Sequence, residues 1–133
     1  MKFLIRKPYI IAEIGSNFNQ DLKMGKKLIH EAKKCGADAV KFQLFNAMKL
    51  YPNNKKMFEI FKAIELRREW FLEFLDYAKK IKIDISASVF DVSSAKFISK
   101  LNVNFHKIAS SELTNFKLVE ILSKTKKPMF IST

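Results

Sequence analysis

The sequence has little of several residue types on which common kinds of site depend. Cys35 is its single cysteine, which excludes an internal disulfide and a thiolate metal cluster, and its spacing predicts a buried helix residue. The three glycines, Gly15, Gly25 and Gly36, lie too far apart to form a glycine-rich phosphate loop. Apolar runs stay far below the roughly 18 residues of a membrane span, and residues 1–9 lack the apolar core of a secretory signal. We therefore expect a cytoplasmic protein with no membrane partner.

The chain is also short of acidic residues and of arginine. Among 133 residues, 25 are Lys or Arg and 13 are Asp or Glu, which gives a net charge of +12. Such a charge attracts phosphates, nucleic acids or an anionic substrate. Lysine supplies 22 of the 25 basic residues, whereas nucleic-acid readers favour the planar fork of arginine. This composition argues against nucleic acid as a partner and favours a solvated lysine surface, with polyanion binding as the alternative.

What the sequence does contain is an alternation of short apolar runs with amphipathic stretches. This alternation is typical of β/α units around a parallel sheet. The predicted strands cover residues 9–14, 39–43, 84–89, 105–109 and 129–132. The first predicted helix begins after Asp21 and stops at Gly36, the second spans residues 67–80, the third begins after Asp91, and the fourth spans residues 115–123. The pattern predicts an α/β fold with five parallel strands and four helices, either an open sheet or an incomplete barrel.

Residues 44–65 form the longest predicted connection between these units. The segment holds Pro52, Asn53 and Asn54, which are typical loop residues. Its length exceeds that of most loops in compact domains, and loops of this length are often functional.

Polar side chains stand at the ends of the predicted strands, where parallel α/β folds bind their ligands. They are Glu13, Lys41, Gln43, Ser88, Lys107, Ser110 and Glu112. Lysines and hydroxyls suit a small phosphorylated anion, and the glutamine and glutamates suit a polyhydroxylated partner such as a sugar. Either lysine alone could instead pair with Glu13 or Glu112. Their recurrence at successive strand ends favours a site for a phosphate ester and a carbohydrate.

Metal ligands are not evident in the sequence. His30 lies on the first predicted helix, and the alternation of the fourth strand points His106 away from the strand-end site. Both histidines are predicted to be structural or exposed. No histidine or carboxylate motif has the spacing of a metal site.

One segment resembles a known family. Residues 10–43, IIAEIGSNFNQDLKMGKKLIHEAKKCGADAVKFQ, resemble the N-terminal signature of the sialic acid synthases, which include N-acetylneuraminate, legionaminate and pseudaminate synthases. The stretches ISASVFD, FHKIASSELTN and KPMFIST resemble later strands of that family in order and spacing. The resemblance implies a (β/α)8 TIM barrel, of which residues 1–133 would be the N-terminal portion, truncated after strand five. The C-terminal barrel half and the antifreeze-like domain of the family would be absent.

The resemblance also implies a reaction. The family condenses phosphoenolpyruvate with an N-acetylated hexosamine to a nine-carbon 2-keto sugar acid, and is thus a carbon–carbon bond-forming transferase of carbohydrate biosynthesis. By resemblance, phosphoenolpyruvate is held by Lys41, Ser88, Lys107 and Ser110, and the sugar is faced by Glu13, Gln43 and Glu112. Glu13, Lys41 and Lys107 are accordingly predicted to be catalytic. The family enzyme is expected to be a homodimer that uses Mn or Mg, but its metal ligands would lie beyond this segment, so the chain alone is expected to be inactive.

Three positions depart from the family pattern. The family's SNHNG-like loop reads SNFNQ here, so Phe18 replaces a histidine that could hydrogen-bond, and the family's substrate contacts at this position do not carry over. Gln20 replaces a glycine, which is tolerable if its φ is not positive. Ser88 stands where threonine is common and keeps the hydroxyl. Two alternatives remain at this point: a non-catalytic half-barrel that binds a polyanion or a partner chain, and another phosphoenolpyruvate-dependent synthase that makes eight- or seven-carbon keto acids.

Overall fold

The apolar runs of the sequence form the strands of one sheet. The structure is a computed structural model that describes residues 8–133. Most of residues 1–9, which we predicted to lack the apolar core of a secretory signal, therefore lies outside it. The strands are β1 (Ile11–Gly15), β2 (Ala39–Leu44), β3 (Asp84–Val89), β4 (His106–Ile108) and β5 (Met129–Ile131). They lie side by side in chain order, and every neighbouring pair is parallel. The predicted α/β fold with five parallel strands is confirmed.

Helices connect the strands. They are α1 (Leu22–Lys34), α2 (Ala47–Leu50), α3 (Lys55–Ile64), α4 (Arg68–Ile81), α5 (Val92–Ile98) and α6 (Phe116–Ser123), with a 3-10 turn at Ser110–Glu112. The predicted caps are confirmed, because Asp21 accepts from the N–H of Lys23 at 2.7 Å and Asp91 accepts from the N–H of Ser94 at 2.9 Å. Cys35 is exposed at the end of α1, so its prediction as a buried residue was wrong. Within residues 8–133, no helix has the length and apolarity needed to cross a membrane.

Residues 44–65 were predicted to be one long loop, and that prediction was wrong. The segment contains α2 and α3, the two helices that were not expected. Asn46 caps α2 and Asn54 caps α3, each through a side-chain oxygen that accepts a backbone N–H at 3.1 Å. The sequence reading treated asparagine and proline as loop residues, although asparagine is equally favoured at helix N-caps. The rings of Phe45 and Phe61 lie 5.5 Å apart, so α3 packs over the carboxyl end of β2.

The outer face of the sheet packs against the helices through aromatic rings. Phe42 on β2 stacks on Phe74 of α4 with ring centroids 4.7 Å apart. Phe18 is fully buried beside this pair, with its ring 6.0 Å from Phe42 and 5.9 Å from Phe74. Phe18 therefore packs into the core, and the effect of the replaced histidine on substrate contacts stays a prediction. A phenylalanine in this place gains apolar burial that a histidine would not.

The inner face of the sheet is strongly curved. Tyr9 precedes β1 at one edge and Phe130 lies on β5 at the other, yet their rings stack with centroids 6.4 Å apart. Phe105 meets both rings edge-on, at 6.3 Å from Tyr9 and 5.1 Å from Phe130. In a flat sheet the first and fifth strands would stand about 19 Å apart. The sheet therefore bends as in a barrel, which agrees with the predicted partial TIM barrel.

Gln20 has a positive φ, so its replacement of the family's glycine carries a conformational cost. Its φ is +52°, and Asn19 before it has φ of +51°. A left-handed conformation costs a residue with a Cβ atom about 1 kcal/mol, and asparagine bears this cost better than glutamine. The side-chain Nε2 of Gln20 is also buried without a hydrogen-bond partner among the described residues.

Gln20→Gly is expected to stabilise the chain by about 1 kcal/mol, which corresponds to a rise of about 4 °C in Tm. Glycine removes the left-handed strain and the unpaired amide together. Thermal unfolding followed by circular dichroism measures the change. Asn19→Gly serves as the matched control and should gain less; an equal or larger gain from Asn19→Gly would contradict this account.

His106 lies on the outer face of β4, away from the strand-end residues, as the alternation predicted. It is fully buried. Its Nε2 lies 2.9 Å from the hydroxyl of Thr125, which donates to the carbonyl of Leu122 and so is left to accept a hydrogen bond from Nε2. Burial, followed by the positive charge of Lys127, lowers the pKa of His106 to about 4.

Stability should therefore fall in weakly acidic solution. Above the ordinary histidine pKa of about 6.5 the ring is neutral in both the folded and unfolded states, so the full stability is present. As pH falls from 6.5 to about 4, only the unfolded chain takes up this proton, and roughly 3 kcal/mol is lost. Urea unfolding at several pH values measures this loss. His106→Gln, which keeps a donor for Thr125, should flatten the dependence, whereas His30→Gln on the exposed side of α1 should leave it unchanged.

Candidate functional site

Two neighbouring rows of the inner face carry the predicted site residues. Lys41 lies in register between Glu13 of β1 and Ser86 of β3. In the next row, Gln43, Ser88 and Lys107 are in register across β2, β3 and β4. The rows meet through side chains, since the Lys41 ammonium donates to the Ser88 hydroxyl at 2.9 Å. The parallel register thus places residues from four segments of the sequence at one surface.

Lys41 is a buried cation with a charged partner. Its side chain forms an ion pair with the carboxylate of Glu13, and only 7% of Lys41 is exposed. Glu13 itself remains about half exposed. A ligand can therefore reach the Glu13 carboxylate and compete with it for the Lys41 ammonium without unfolding the strand.

Lys107 is a cation without an acidic partner among residues 8–133. Its ammonium donates to the carbonyl oxygen of Ile108 at 2.9 Å and to the hydroxyl of Ser132. Partial burial lowers the pKa of Lys107, the positive charge of Lys41 lowers it further, and Glu13 raises it in part. Both direct acceptors are neutral, so this part of the inner face keeps a positive charge that an anion would neutralise.

Gly15 makes room where β1 ends. A Cβ atom at this position would lie 3.4 Å from Oε1 of Glu13 and 3.9 Å from Cδ of Gln43, and its φ is +58°. A side chain here would crowd the space into which both polar groups point. Glu13 and Gln43 therefore converge at the mouth of the site.

Ser110 and Glu112 are not drawn into this cluster. Both lie on the 3-10 turn after β4, where the alternation of the strand ends. Ser110 is exposed, and Glu112 accepts from the amide of Asn115 at 3.0 Å. Within the described part of the chain, no hydrogen bond or ion pair joins either residue to Lys41 or Lys107. Their roles stay predictions.

Ser132 was missed by the sequence reading. It follows β5 directly and receives a hydrogen bond from the Lys107 ammonium. The signal was available, because a hydroxyl at the end of the last predicted strand satisfies the same rule that selected Ser88. The other inner serine, Ser86, donates to the backbone carbonyl of Phe105 and so supports the sheet.

A group of aromatic rings lies next to Lys107 on the inner face of the sheet. Lys107 and Phe130 are in register, and Phe130 belongs to the group formed with Tyr9 and Phe105. The Tyr9 hydroxyl donates to Asp84, and burial followed by this bond and the nearby carboxylates raises the pKa of Tyr9. Phe105 of this group is buried, whereas Tyr9 and Phe130 remain about two-fifths exposed.

Asp91 fixes the loop that borders the site. Its buried carboxylate accepts from the N–H of Asn46 at 2.9 Å and from the hydroxyls of Ser93 and Ser94. Burial alone would raise the pKa of Asp91, but these hydrogen bonds and the N–H of Ser94 bring it below its ordinary value. An ionised carboxylate therefore ties the end of β2 to the start of α5.

The inner face does not fit a divalent metal. No group of three His, Cys, Asp or Glu side chains lies together within residues 8–133. Glu13 is engaged by Lys41 and Glu112 by Asn115, while His30 and His106 lie away from the strand ends. The carboxylates present are too few and too separated to supply the oxygen ligands that Mn or Mg requires.

Comparison with known proteins identifies the family. The sequence model of the NeuB family matches residues 28–133. The chain belongs to the NeuB family. It is 43% identical over 125 residues to an uncharacterized protein of Methanocaldococcus jannaschii, which covers 94% of this chain and 37% of that protein. It is 36% identical over 139 residues to the N,N'-diacetyllegionaminic acid synthase of Legionella pneumophila, which covers 94% of this chain and 39% of the synthase.

A solved structure of a related protein shares the fold. The crystal structure of spore coat polysaccharide biosynthesis protein SpsE from Bacillus subtilis superimposes with a TM-score of 0.78 at 34% identity, over 94% of this chain and 36% of that chain. This NeuB-family chain therefore spans less than half the length of each of these three relatives. The resemblance to the sialic acid synthases is confirmed. None of these comparisons supports the alternative of a polyanion-binding module.

Proposed function

We propose that this chain forms the phosphoenolpyruvate-binding part of a synthase that condenses phosphoenolpyruvate with an N-acetylated hexosamine to a nine-carbon 2-keto sugar acid. The observation that carries the proposal is Lys107, a partly buried cation with neutral acceptors, beside the Lys41–Ser88 pair at the strand ends. Membership of the NeuB family and the synthase named among its relatives support it.

Phosphoenolpyruvate carries a phosphate and a carboxylate, and the two lysines supply matching charges. Lys107 would bind one anionic group, with the Ser132 hydroxyl turning to donate a directed hydrogen bond. Lys41 would bind the other while it stays next to Ser88. As the ligand takes over the charge of Lys41, the Glu13 carboxylate becomes available to accept from a sugar hydroxyl at the mouth of the site.

The positive charges of Lys41 and Lys107 would act both on the bound substrate and on the phosphate as it leaves. C3 of phosphoenolpyruvate attacks the aldehyde carbon of the open-chain sugar and forms the new carbon–carbon bond, and the aldehyde oxygen takes up a proton. Water then adds at C2, and the C2–O bond to phosphate breaks as the 2-keto group forms. Lys41 and Lys107 would neutralise the phosphate in the bound state and as it leaves, which is electrostatic stabilisation in a partly buried site.

Calorimetric titration of the 133-residue chain tests the proposal, with phosphoenolpyruvate, pyruvate and inorganic phosphate as separate ligands. We expect saturable 1:1 binding of phosphoenolpyruvate that is at least about tenfold tighter than that of either fragment, because only it engages both lysines. We expect no turnover when N-acetylmannosamine is added to this chain alone. Equal affinity for phosphoenolpyruvate and inorganic phosphate would overturn the proposal in favour of nonspecific anion binding.

A further inference from the structure

A hollow lies at the opposite end of the sheet from the lysine site. It is bordered by Lys79 near the end of α4, Asp84 at the start of β3 and Asn104 before β4, and its volume is about 390 Å³. Pockets of about 300–1,000 Å³ hold small molecules. Along β3, Asp84 stands four residues before Ser88, which is about 13 Å in an extended strand. We call this space the amino-end hollow, and a ligand in it would not reach Lys107.

Two lysines supply positive charge to the amino-end hollow. Lys79 and Lys82 both line it, and neither ammonium group makes a hydrogen bond or an ion pair with another residue of 8–133. A third lysine, Lys33, donates to the carbonyl oxygen of Lys82 at 2.7 Å and adds its charge nearby. Ammonium groups that line one hollow without an acidic partner suit a phosphate, which accepts hydrogen bonds from both.

The backbone at Lys82 does not favour a lysine. The residue follows the end of α4 in the left-handed conformation, with φ of +57°. Gly36 follows α1 with φ of +84°, which is the usual solution because glycine has no Cβ atom. Position 82 would thus be more stable with glycine, so the helix end itself does not explain the ammonium group.

The other polar groups of the amino-end hollow suit hydroxyls and an amide-like edge. Asp84 is engaged by the hydroxyl of Tyr9, whereas the carboxylate of Asp76 has no hydrogen-bond partner within residues 8–133. Such a carboxylate can accept from the hydroxyls of a ribose. Asn104 uses its oxygen on a backbone N–H of β3 and keeps its amide group free, and the whole carboxamide of Asn102 is free in the described chain. A carboxamide matches the N6 and N7 edge of adenine.

One wall of the amino-end hollow is aliphatic. It consists of Leu75, Ile83 and Ile85, of which Ile83 is 5% exposed and Ile85 is 2% exposed. A flat base can remove this wall from water, which an inorganic phosphate or a sugar phosphate cannot do. The ligand that uses all parts of the lining therefore carries a phosphate, vicinal hydroxyls and a flat base.

We propose that the amino-end hollow binds an adenine nucleotide with a single phosphate. Lys79 and Lys82 hold the phosphate, Asp76 accepts from the ribose hydroxyls, and Asn102 pairs with the edge of the base, whose face lies on the aliphatic wall. The inference does not depend on the proposed function, because the hollow shares no residue with the strand-end site.

Calorimetric titration of the 133-residue chain tests the assignment, with AMP, GMP, ribose 5-phosphate and inorganic phosphate as separate ligands. We expect saturable 1:1 binding of AMP that is at least about tenfold tighter than binding of the other three. Equal affinity for ribose 5-phosphate or inorganic phosphate would overturn the nucleotide site in favour of plain anion binding. Equal affinity for GMP would overturn the reading of the base edge, and no binding of AMP would overturn the whole inference.

Lys82→Gly separates a loss of binding from a loss of structure. It should weaken AMP binding by at least about tenfold and at the same time raise Tm by about 4 °C, because glycine removes the left-handed strain. Lys126→Gly is the matched control, since Lys126 has the same φ of +57° and the same charge but does not line the hollow. It should raise Tm and leave AMP affinity unchanged. Equal losses of affinity in the two variants would overturn the site.

A second pair of variants places AMP on the molecule. Lys79→Met should weaken AMP binding, whereas Lys80→Met, on the exposed side of the same helix end, should not. Lys107→Met should also leave AMP affinity unchanged. A loss of AMP binding in Lys107→Met without one in Lys79→Met would place the nucleotide at the strand ends and overturn the inference, and it would leave the proposed phosphoenolpyruvate site untouched.

Discussion

Lys107→Met is expected to weaken phosphoenolpyruvate binding by the 133-residue chain between about tenfold and a hundredfold. Methionine keeps most of the apolar stem and removes the ammonium. The loss corresponds to that of a charge-assisted hydrogen bond in a partly buried site, about 1.5–3 kcal/mol. Calorimetric titration at constant ionic strength measures the change in Kd. Because the pKa of Lys107 is lowered, wild-type affinity should also fall with rising pH before ordinary lysines lose their protons.

The control must remove one positive charge without touching the site. Lys96 is exposed on α5, and Lys96→Met changes the net charge by the same amount as Lys107→Met. If binding depended only on the overall charge of +12, the two variants would lose affinity equally, and the assignment of Lys107 would be wrong. Lys41→Met is a poorer probe, because it leaves the Glu13 carboxylate facing the ligand without its partner.

Local signals predicted much of the fold. The bounds of β3 agree with the prediction to the residue, because apolar and polar residues alternate strictly from Asp84 to Val89 and the capping Asp91 follows. Asp21 and Gly36 likewise delimit α1 through their own backbone preferences. Where one residue determines the local conformation, the sequence is sufficient.

The site was predictable only where strands carry it. Alternation along β2 and β4 places Lys41, Gln43 and Lys107 on one face, whichever way the chain continues. After Ile108 the chain leaves the strand for a 3-10 turn, so alternation gives no direction for Ser110 or Glu112. The approach of these two residues to the lysines depends on loop geometry, which a periodic pattern does not contain.

Long-range features escaped the sequence reading altogether. The contact between Tyr9 and Phe130 joins the two edges of the sheet, and it follows from accumulated strand twist rather than from either local segment. Helices α2 and α3 were also missed, because the asparagines that cap them, Asn46 and Asn54, were taken as loop residues. The burial of Phe18 depends on the ring of Phe74, which lies more than fifty residues further along the chain.

Gly25→Ala is expected to destabilise the chain by about 2 kcal/mol, although alanine is the better helix former. The added Cβ would lie 2.3 Å from Cζ and 2.6 Å from Cε1 of Phe74. Phe74 is fully buried and stacks on Phe42, so its ring has no free space into which to move. Overpacking of this kind costs about 1–3 kcal/mol, and the clash here belongs at the upper end. The gain of about 1 kcal/mol in helix propensity offsets part of it.

Urea unfolding of single and double variants shows whether the clash with Phe74 is the cause. Phe74→Leu removes the ring atoms that the new methyl group would meet, so Gly25→Ala should be tolerated in that background. The two changes should then be non-additive by more than about 1 kcal/mol in the free energy of unfolding. Gly36→Ala is the matched control, because a Cβ there meets nothing within 4 Å and its cost comes from a φ of +84°. Its effect should add to that of Phe74→Leu; rescue of Gly36→Ala by Phe74→Leu, or strict additivity for Gly25→Ala, would refute close packing of α1 on α4 as the reason for glycine at position 25.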